Sequence, residues 1–467
     1  MYKKYQQKRV FLASALIASA SVIVVLMLFL SRTKHMVNVD VNCSVILGKS
    51  VSLLGVNNGP LGPRGWDSSV YPYDLADYYM RMGVNFIRIH DLWGSADIDI
   101  VFPDFSRSPD DENAYNFSST DKHISMMLRT GTRVIFRLGY SWSDPPKNSP
   151  PKDYDKWAEI CLHIVKHYTE GWAGGMVRSV KYWEIWNEPD IEQFWNGTLE
   201  EYFLLYEMTA RKIKDFDPSI LVGGPALAYD LKFLEEFLSR CREFGTPLDF
   251  VSWHVYSKNP YDVYQRALAV RRLMERYGFS DRLSFLTEWN IWKEDSDPYE
   301  IFRGPIGSSF CASCLIYLQN ASVDIANFYR GDSWPWGGLF YDDGSAGKAY
   351  YVMAALSEVL RDSNRVQCTT HGGGNEILAM ATVKENLSFI FVVVSNYGRR
   401  VFSCQLRISG IPWYQRDSSY ELLSVDEKTS LETISSGSAS GDRLEISLEI
   451  NPYAVYILKL KPVQTTQ

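Results

Sequence analysis

Between residues 51 and 360, short apolar runs alternate with amphipathic segments eight times, and this pattern leaves few folds open. The runs fall at 53–57, 85–90, 133–138, 182–187, 221–224, 250–255, 284–287 and 324–329. Segments with helical periodicity separate them, for example 154–168, 199–216 and 261–277. Strands joined by helix-length crossovers pair in parallel. Eight such units predict an α/β fold in which residues 51–360 close into a (β/α)8 barrel.

The pattern changes after residue 360. Strand-like runs at 377–383, 389–395, 401–408, 420–423, 444–450 and 454–460 predict an antiparallel β-sandwich over 361–467. Gly and Ser clusters such as Ser435-Ser436-Gly437-Ser438 read as separators between these strands. Residues 31–50 read as a linker followed by a strand at 37–47 that can join the sandwich.

The N-terminus adds a membrane element. Residues 10–30 carry no charge, and 21 residues at about 1.5 Å each span roughly 30 Å, the thickness of a bilayer core. Lys3, Lys4, Lys8 and Arg9 precede the run, whereas only Arg32 and Lys34 follow closely. The excess of positive charge predicts a cytoplasmic tail at 1–9, a transmembrane anchor at 10–30 and a body outside the cell or in a lumen, with a cleaved signal peptide as the alternative reading of the same run. Asn42, Asn116, Asn196, Asn320 and Asn386 stand in Asn-x-Ser/Thr, as expected of an exported glycoprotein. A net charge of −7, with no basic run beyond the tail, argues against a nucleic-acid partner.

The seven cysteines cannot all pair within one chain. Cys368 and Cys404 fall in the β-rich region and are candidates to bridge neighbouring strands. Cys311 and Cys314 have CxxC spacing but lie in an apolar helical stretch, which favours buried thiols over a redox or zinc site. His163 and His167 have i, i+4 spacing, yet no third ligand is evident, so no metal is expected.

In a (β/α)8 barrel the chemistry gathers where the strands end. Glu188 ends the fourth strand, in Trp183-Glu184-Ile185-Trp186-Asn187-Glu188-Pro189-Asp190. Glu288 ends the seventh, in Thr287-Glu288-Trp289-Asn290, 100 residues later. Two carboxyl groups at one barrel mouth are what acid-catalysed glycosidic cleavage needs. Asn187 can hydrogen-bond a sugar hydroxyl. His254 and Tyr256 are two apart on the sixth strand and share a face, as do Arg88 and His90 on the second. Tyr256 and Arg88 are placed to keep Glu288 ionised, and His90 to contact substrate. Trp142, Trp195, Trp289, Trp334 and Trp336 are candidate stacking platforms for sugar rings. Glu184 is assigned no role.

These motifs resemble clan A glycoside hydrolases. The Trp-Asn-Glu-Pro at 186–189, the Thr-Glu-Trp at 287–289 and Asp249-Phe250-Val251-Ser252-Trp253-His254-Val255-Tyr256 carry the resemblance. With Phe194-Trp195, the fourth-strand segment is most similar to glycoside hydrolase family 39, the family of β-xylosidases and α-L-iduronidases. The resemblance covers residues 37–465. It implies Glu188 as acid/base, Glu288 as nucleophile, retention of configuration, a carbohydrate substrate and no cofactor. The loop Arg330-Gly331-Asp332-Ser333-Trp334-Pro335-Trp336 matches no subfamily pattern, so the sugar stays open. A transglycosylase would use the same pair, and a carbohydrate-binding protein would have kept the barrel without turnover.

Overall fold

The computed structural model describes residues 35–413 and 415–463. The segment expected to anchor the chain, 10–30, lies outside the described residues. Among the described residues, no helix is long and apolar enough to cross a membrane.

Eight parallel strands close into a barrel: Gly55–Asn57, Phe86–Ile89, Arg133–Leu138, Tyr182–Ile185, Leu221–Leu227, Phe250–Ser257, Leu283–Ile291 and Ile325–Phe328. All eight predicted runs are found, in the predicted order. Phe86, Ile135, Phe250, Phe285 and Ile325 fill the lower interior. A larger apolar layer outside the strands buries the inner faces of the helices. Helix Leu199–Phe216 starts at a capping box in which Thr198 and Glu201 each bond the other's backbone N–H.

Strand seven carries a β-bulge against strand six between Leu286 and Glu288. Phe285 points into the barrel, so strict alternation would send Thr287 inward and Glu288 outward. The extra residue shifts the phase, and Glu288 faces the mouth opposite His254. Trp289 turns the other way.

The second domain is a nine-stranded sheet bent onto itself. Its order is Ser430–Ala439, Ser418–Val425, Ala454–Pro462, Ile390–Asn396, Ile377–Lys384, Ser363–His371, His35–Lys49, Phe402–Ser409, Arg443–Ile450. Val37, Val39 and Leu406 from one end of this order share a core with Val392 and Leu458 from the middle, which makes the sheet a sandwich. The strand before the barrel joins the sandwich, as expected. It pairs parallel to Phe402–Ser409, a departure from a purely antiparallel sheet.

On strand Ile390–Asn396, Val392 and Val394 enter the sandwich core, while Phe391 and Val393 pack in the barrel's outer layer. Ser395 Oγ bonds the Ser309 carbonyl at 3.1 Å and the Ser313 hydroxyl at 3.0 Å on helix Pro305–Leu318. One face of this strand therefore packs on the barrel while the other lines a separate sandwich core.

Two expectations are corrected, and one strand was not foreseen. Ser430–Ala439, expected to hold a separator, is an edge strand. Its backbone pairs with Ser418–Val425 although most of its side chains are exposed. Ser363–His371, a largely polar stretch, is a strand because it pairs on both sides. Cys368 and Cys404 do not bridge: their strands flank His35–Lys49 on opposite sides, and both thiols are free.

Candidate active site

The site is built around Arg88, whose side chain is fully buried at the end of the second strand. Its guanidinium makes four hydrogen bonds. Nε donates to Glu184 Oε2 at 2.6 Å, Nη1 to Glu288 Oε1 at 2.6 Å and to Asn57 Oδ1 at 3.2 Å, and Nη2 to Asn187 Oδ1 at 2.7 Å. Bonding Asn187 through its oxygen leaves the amide nitrogen buried, without a partner. That nitrogen is a donor with no acceptor among the described residues of the site.

Glu288 has a second donor: Tyr256 gives its phenol hydrogen to Oε2 at 2.6 Å. Burial pushes the Tyr256 phenol well above its ordinary range, so it stays a donor. Burial also raises Glu288, to about 7, while Arg88 and Tyr256 pull it back down. Glu188 is raised further. Burial is the main cause, and the negative charges of Glu288 and Asp190 add to it. The two carboxyl groups therefore differ: as pH rises, Glu288 loses its proton first and Glu188 keeps its own longer.

His254 Nδ1 lies 2.7 Å from Glu188 Oε1 and 3.7 Å from Glu288 Oε2. Burial, then the charges of Arg88 and Arg266, lower its pKa well below the ordinary value, so the ring is neutral. One oxygen from each glutamate and a nitrogen of His254 all lie within 4.8 Å of one another. Such a trio can hold a cation, but the Arg88 guanidinium already supplies positive charge at Glu288.

His90 is fixed from below. Arg137 Nε donates to its Nδ1 at 3.2 Å, and arginine only donates, so the ring proton sits on Nε2. That N–H faces Asp91 Oδ1 at 3.3 Å and Glu288 Oε1 at 3.7 Å. Arg137 is held in turn by Asp97 at 3.0 Å.

The backbone around Glu188 is held in an unusual shape. Trp186 and Glu188 have positive φ, 74° and 46°, a conformation that costs on the order of 1–3 kcal/mol at a non-glycine residue. Trp186 Nε1 to the Phe194 carbonyl (2.9 Å) and Glu188 N to the Ala226 carbonyl (3.0 Å) hold it in place. The turn lifts Glu188 to the mouth, where its side chain is 12% exposed.

The candidate aromatics divide. Trp142 is exposed at the rim, and its backbone N–H is tied to Asp91 at 2.7 Å. Trp334 is half-buried. The Arg330 guanidinium lies 5.5 Å from its ring centre and 5.2 Å from that of Trp93, while bonding Asp332 through two nitrogens. Trp336 packs edge-on to Tyr256. Trp289 and Trp195 are not platforms. Trp289 is fully buried against Phe328 because the bulge turns it away from the mouth, and Trp195 is buried with its Nε1 on the Thr198 carbonyl.

Sequence reasoning gave Glu184 no role and missed Asp91 and Tyr329. Parity along the fourth strand could have found Glu184, since Tyr182 and Glu184 share the inward face. Tyr329 donates to Asp91 Oδ2 at 2.6 Å, a contact between loops that no local pattern announces. His163 and His167 do not form a ligand pair: His167 bonds the Trp172 carbonyl and Asp121, whereas the buried His163 meets the Glu159 carbonyl at 2.9 Å and groups with the Asp110 and Glu159 carboxylates.

The family comparisons agree with this geometry. A β-xylosidase of Geobacillus stearothermophilus is 29% identical over 245 residues, 45% of this chain and 47% of that protein. A β-xylosidase of Caldicellulosiruptor saccharolyticus is 28% identical over 276 residues, 53% of this chain and 54% of that protein. The chain thus spans about half the length of the curated relatives it matches. The crystal structure of a glucosidase from Croceicoccus marinus superposes with a TM-score of 0.78 at 25% identity, covering 92% of this chain and all of the other. Residues 56–301, which hold both glutamates, match the model of glycosyl hydrolases family 39, and the chain belongs to that family.

Proposed function

We propose that this protein is a glycosidase that cleaves an O-glycosidic bond with retention, using Glu288 as nucleophile and Glu188 as acid/base. The observation that carries the reading is the close, unequal pair. Their nearest oxygens lie within 4.8 Å, which supports the retaining spacing of about 5–5.5 Å over the inverting one of about 6.5–9.5 Å.

In the first step a Glu288 oxygen bonds to the anomeric carbon. The glycosidic C–O bond breaks, and Glu188 gives its proton to the departing oxygen. In the second, the Glu188 carboxylate takes a proton from water, whose oxygen bonds to the anomeric carbon and displaces Glu288. With its proton on Nδ1, His254 donates to Glu188 Oε1 and leaves Oε2 to deliver the catalytic proton. Arg88 and Tyr256 stabilise the carboxylate that departs in the second step, and the Asn187 amide donates to a sugar hydroxyl.

A β-xyloside is the proposed substrate, supported by the names of the two relatives. The full chain, assayed on nitrophenyl glycosides of xylose, glucose, galactose, arabinose and iduronic acid, is expected to prefer the xyloside. Proton NMR should show the β-anomer of the product first. First release of the α-anomer would overturn retention.

For location, we propose a single anchor at 10–30 with the catalytic body outside or lumenal, supported by the charge-free run and its flanking lysines. Release of the chain from membranes by alkaline carbonate would overturn the anchor.

A further inference from the structure

A cavity of about 720 Å³ opens from Glu188. Glu188, His254 and Tyr256 line it, and Glu288 does not. Under the proposed function, an acid must reach the oxygen of the bond that breaks. The part of the substrate beyond that oxygen therefore lies on the Glu188 side, in this cavity.

Much of the wall is apolar, with Ile191, Leu231 and Trp292 among its residues. Set into it is Arg266, from helix Pro260–Arg276. Its Nη1 donates to the Tyr229 carbonyl at 2.8 Å, while Nη2 is buried and has no hydrogen-bond partner. Among the described residues, no carboxylate forms an ion pair with Arg266, and Asp190 and Asp230 act on it only at longer range. The neighbouring acids are committed elsewhere. Asp190 accepts the N–H groups of Ala228, Tyr229 and Asp230 at 2.8, 2.8 and 2.9 Å. Asp230 accepts the Lys232 N–H, and Asp262 accepts from Ser257 and Asn259.

A guanidinium keeps its charge at any working pH, and leaving one of its donors buried and unpaired is costly. A carboxylate on the bound leaving group would supply the missing acceptor in the planar geometry that arginine matches. We propose that Arg266 is a specificity-determining residue that selects a leaving group bearing a carboxylate on an otherwise apolar body.

The test uses two β-xylosides whose phenyl leaving groups carry either CH2COO⁻ or CH2CONH2 at the para position. The intervening methylene keeps the acidity of the leaving oxygen similar. The ratio of kcat/KM for the pair, and the ratio of Kd for their S-linked analogues by calorimetry, are measured on the full chain and on Arg266→Gln and Arg266→Lys. The full chain should favour the carboxylate about tenfold in both ratios, the size of one charge-assisted hydrogen bond. Arg266→Gln should bring both ratios to about one, and Arg266→Lys should keep part of the preference.

Equal treatment of the pair by the full chain, or a preference that survives in Arg266→Gln, overturns the proposal. So does failure to bind either analogue. A binding preference that depends on Arg266, in a chain that hydrolyses no glycoside, would uphold the selectivity and overturn the proposed reaction instead.

Discussion

Arg88 and Glu288 lie 200 positions apart in the chain and meet at 2.6 Å inside the barrel. The same guanidinium holds Glu184 at 2.6 Å, so one buried cation faces two carboxylates. The protein thereby fixes the Glu288 carboxylate through a cation that is itself fully buried. Breaking such a buried cluster costs far more than breaking a surface pair.

Arg88→Met should therefore fail twice. Two carboxylates would be left facing each other without a cation, which costs about 3–5 kcal/mol. Thermal unfolding should show a large fall in Tm. Activity should drop even at temperatures where the variant is folded, because Glu288 becomes harder to ionise. A variant as stable as the parent would contradict the assignment of Arg88 as the electrostatic centre.

Tyr256→Phe removes one hydrogen bond from Glu288 and little volume. A hydrogen bond to a charged group contributes about 1.5–3 kcal/mol, and one pKa unit is 1.36 kcal/mol. The acid limb of kcat/KM should move up by about one unit or more, with the fold intact by circular dichroism. An unmoved limb would mean that Glu288 is not the group titrating there.

The pH profile of the parent follows from the unequal pair. The proposed mechanism needs Glu288 ionised and Glu188 protonated. The acid limb should thus sit near the value of Glu288, raised to about 7, and the alkaline limb higher, at Glu188. An acid limb in the ordinary carboxylate range would show that burial does not govern Glu288.

Glu188→Ala should cost about 10²–10⁴-fold in kcat/KM, which reports the first step, on substrates with poor leaving groups. The loss should be much smaller on nitrophenyl glycosides, whose leaving oxygen needs little protonation. A uniform loss across leaving groups would count against the acid role.

Stability should depend on pH in a stated direction. Glu188 and Glu288 both have folded-state pKa values above that of an unfolded glutamate, about 4.3. Their contribution is full below that value and is lost as pH rises through about 7 and beyond. Tm should fall from mildly acidic to alkaline pH, and less steeply above neutrality in Glu188→Gln. Parallel Tm curves for parent and variant would refute this.

The barrel was legible in the sequence because each strand is a short apolar run bounded by helical periodicity, a local signal. Glu188 was legible from its Asn-Glu-Pro motif. For Glu184 the sequence left two readings, inside the barrel or paired with a Lys or Arg, and the structure shows both at once. The direction of Trp289 was not available: a bulge between Leu286 and Glu288 reverses the phase, and nothing in Leu286-Thr287-Glu288-Trp289 announces it. Strand Ser430–Ala439 was hidden for a different reason. Its pairing is made by backbone atoms, while its Ser-rich side chains match the composition of a loop. Contacts between loops, such as Tyr329 with Asp91, appear only once the barrel brings the strand ends together.

The strand His35–Lys49 lies between Ser363–His371 and Phe402–Ser409. During synthesis it emerges before the whole barrel, yet Thr369, which bonds the Asp40 carbonyl, follows 329 residues later. Until then Val37, Val39 and Val41 have no sandwich to enter, and both edges of the strand are open to any other nascent chain. A strand made before the barrel is completed only after it, so the interval in which its edges stay open is set by how fast the barrel can be translated.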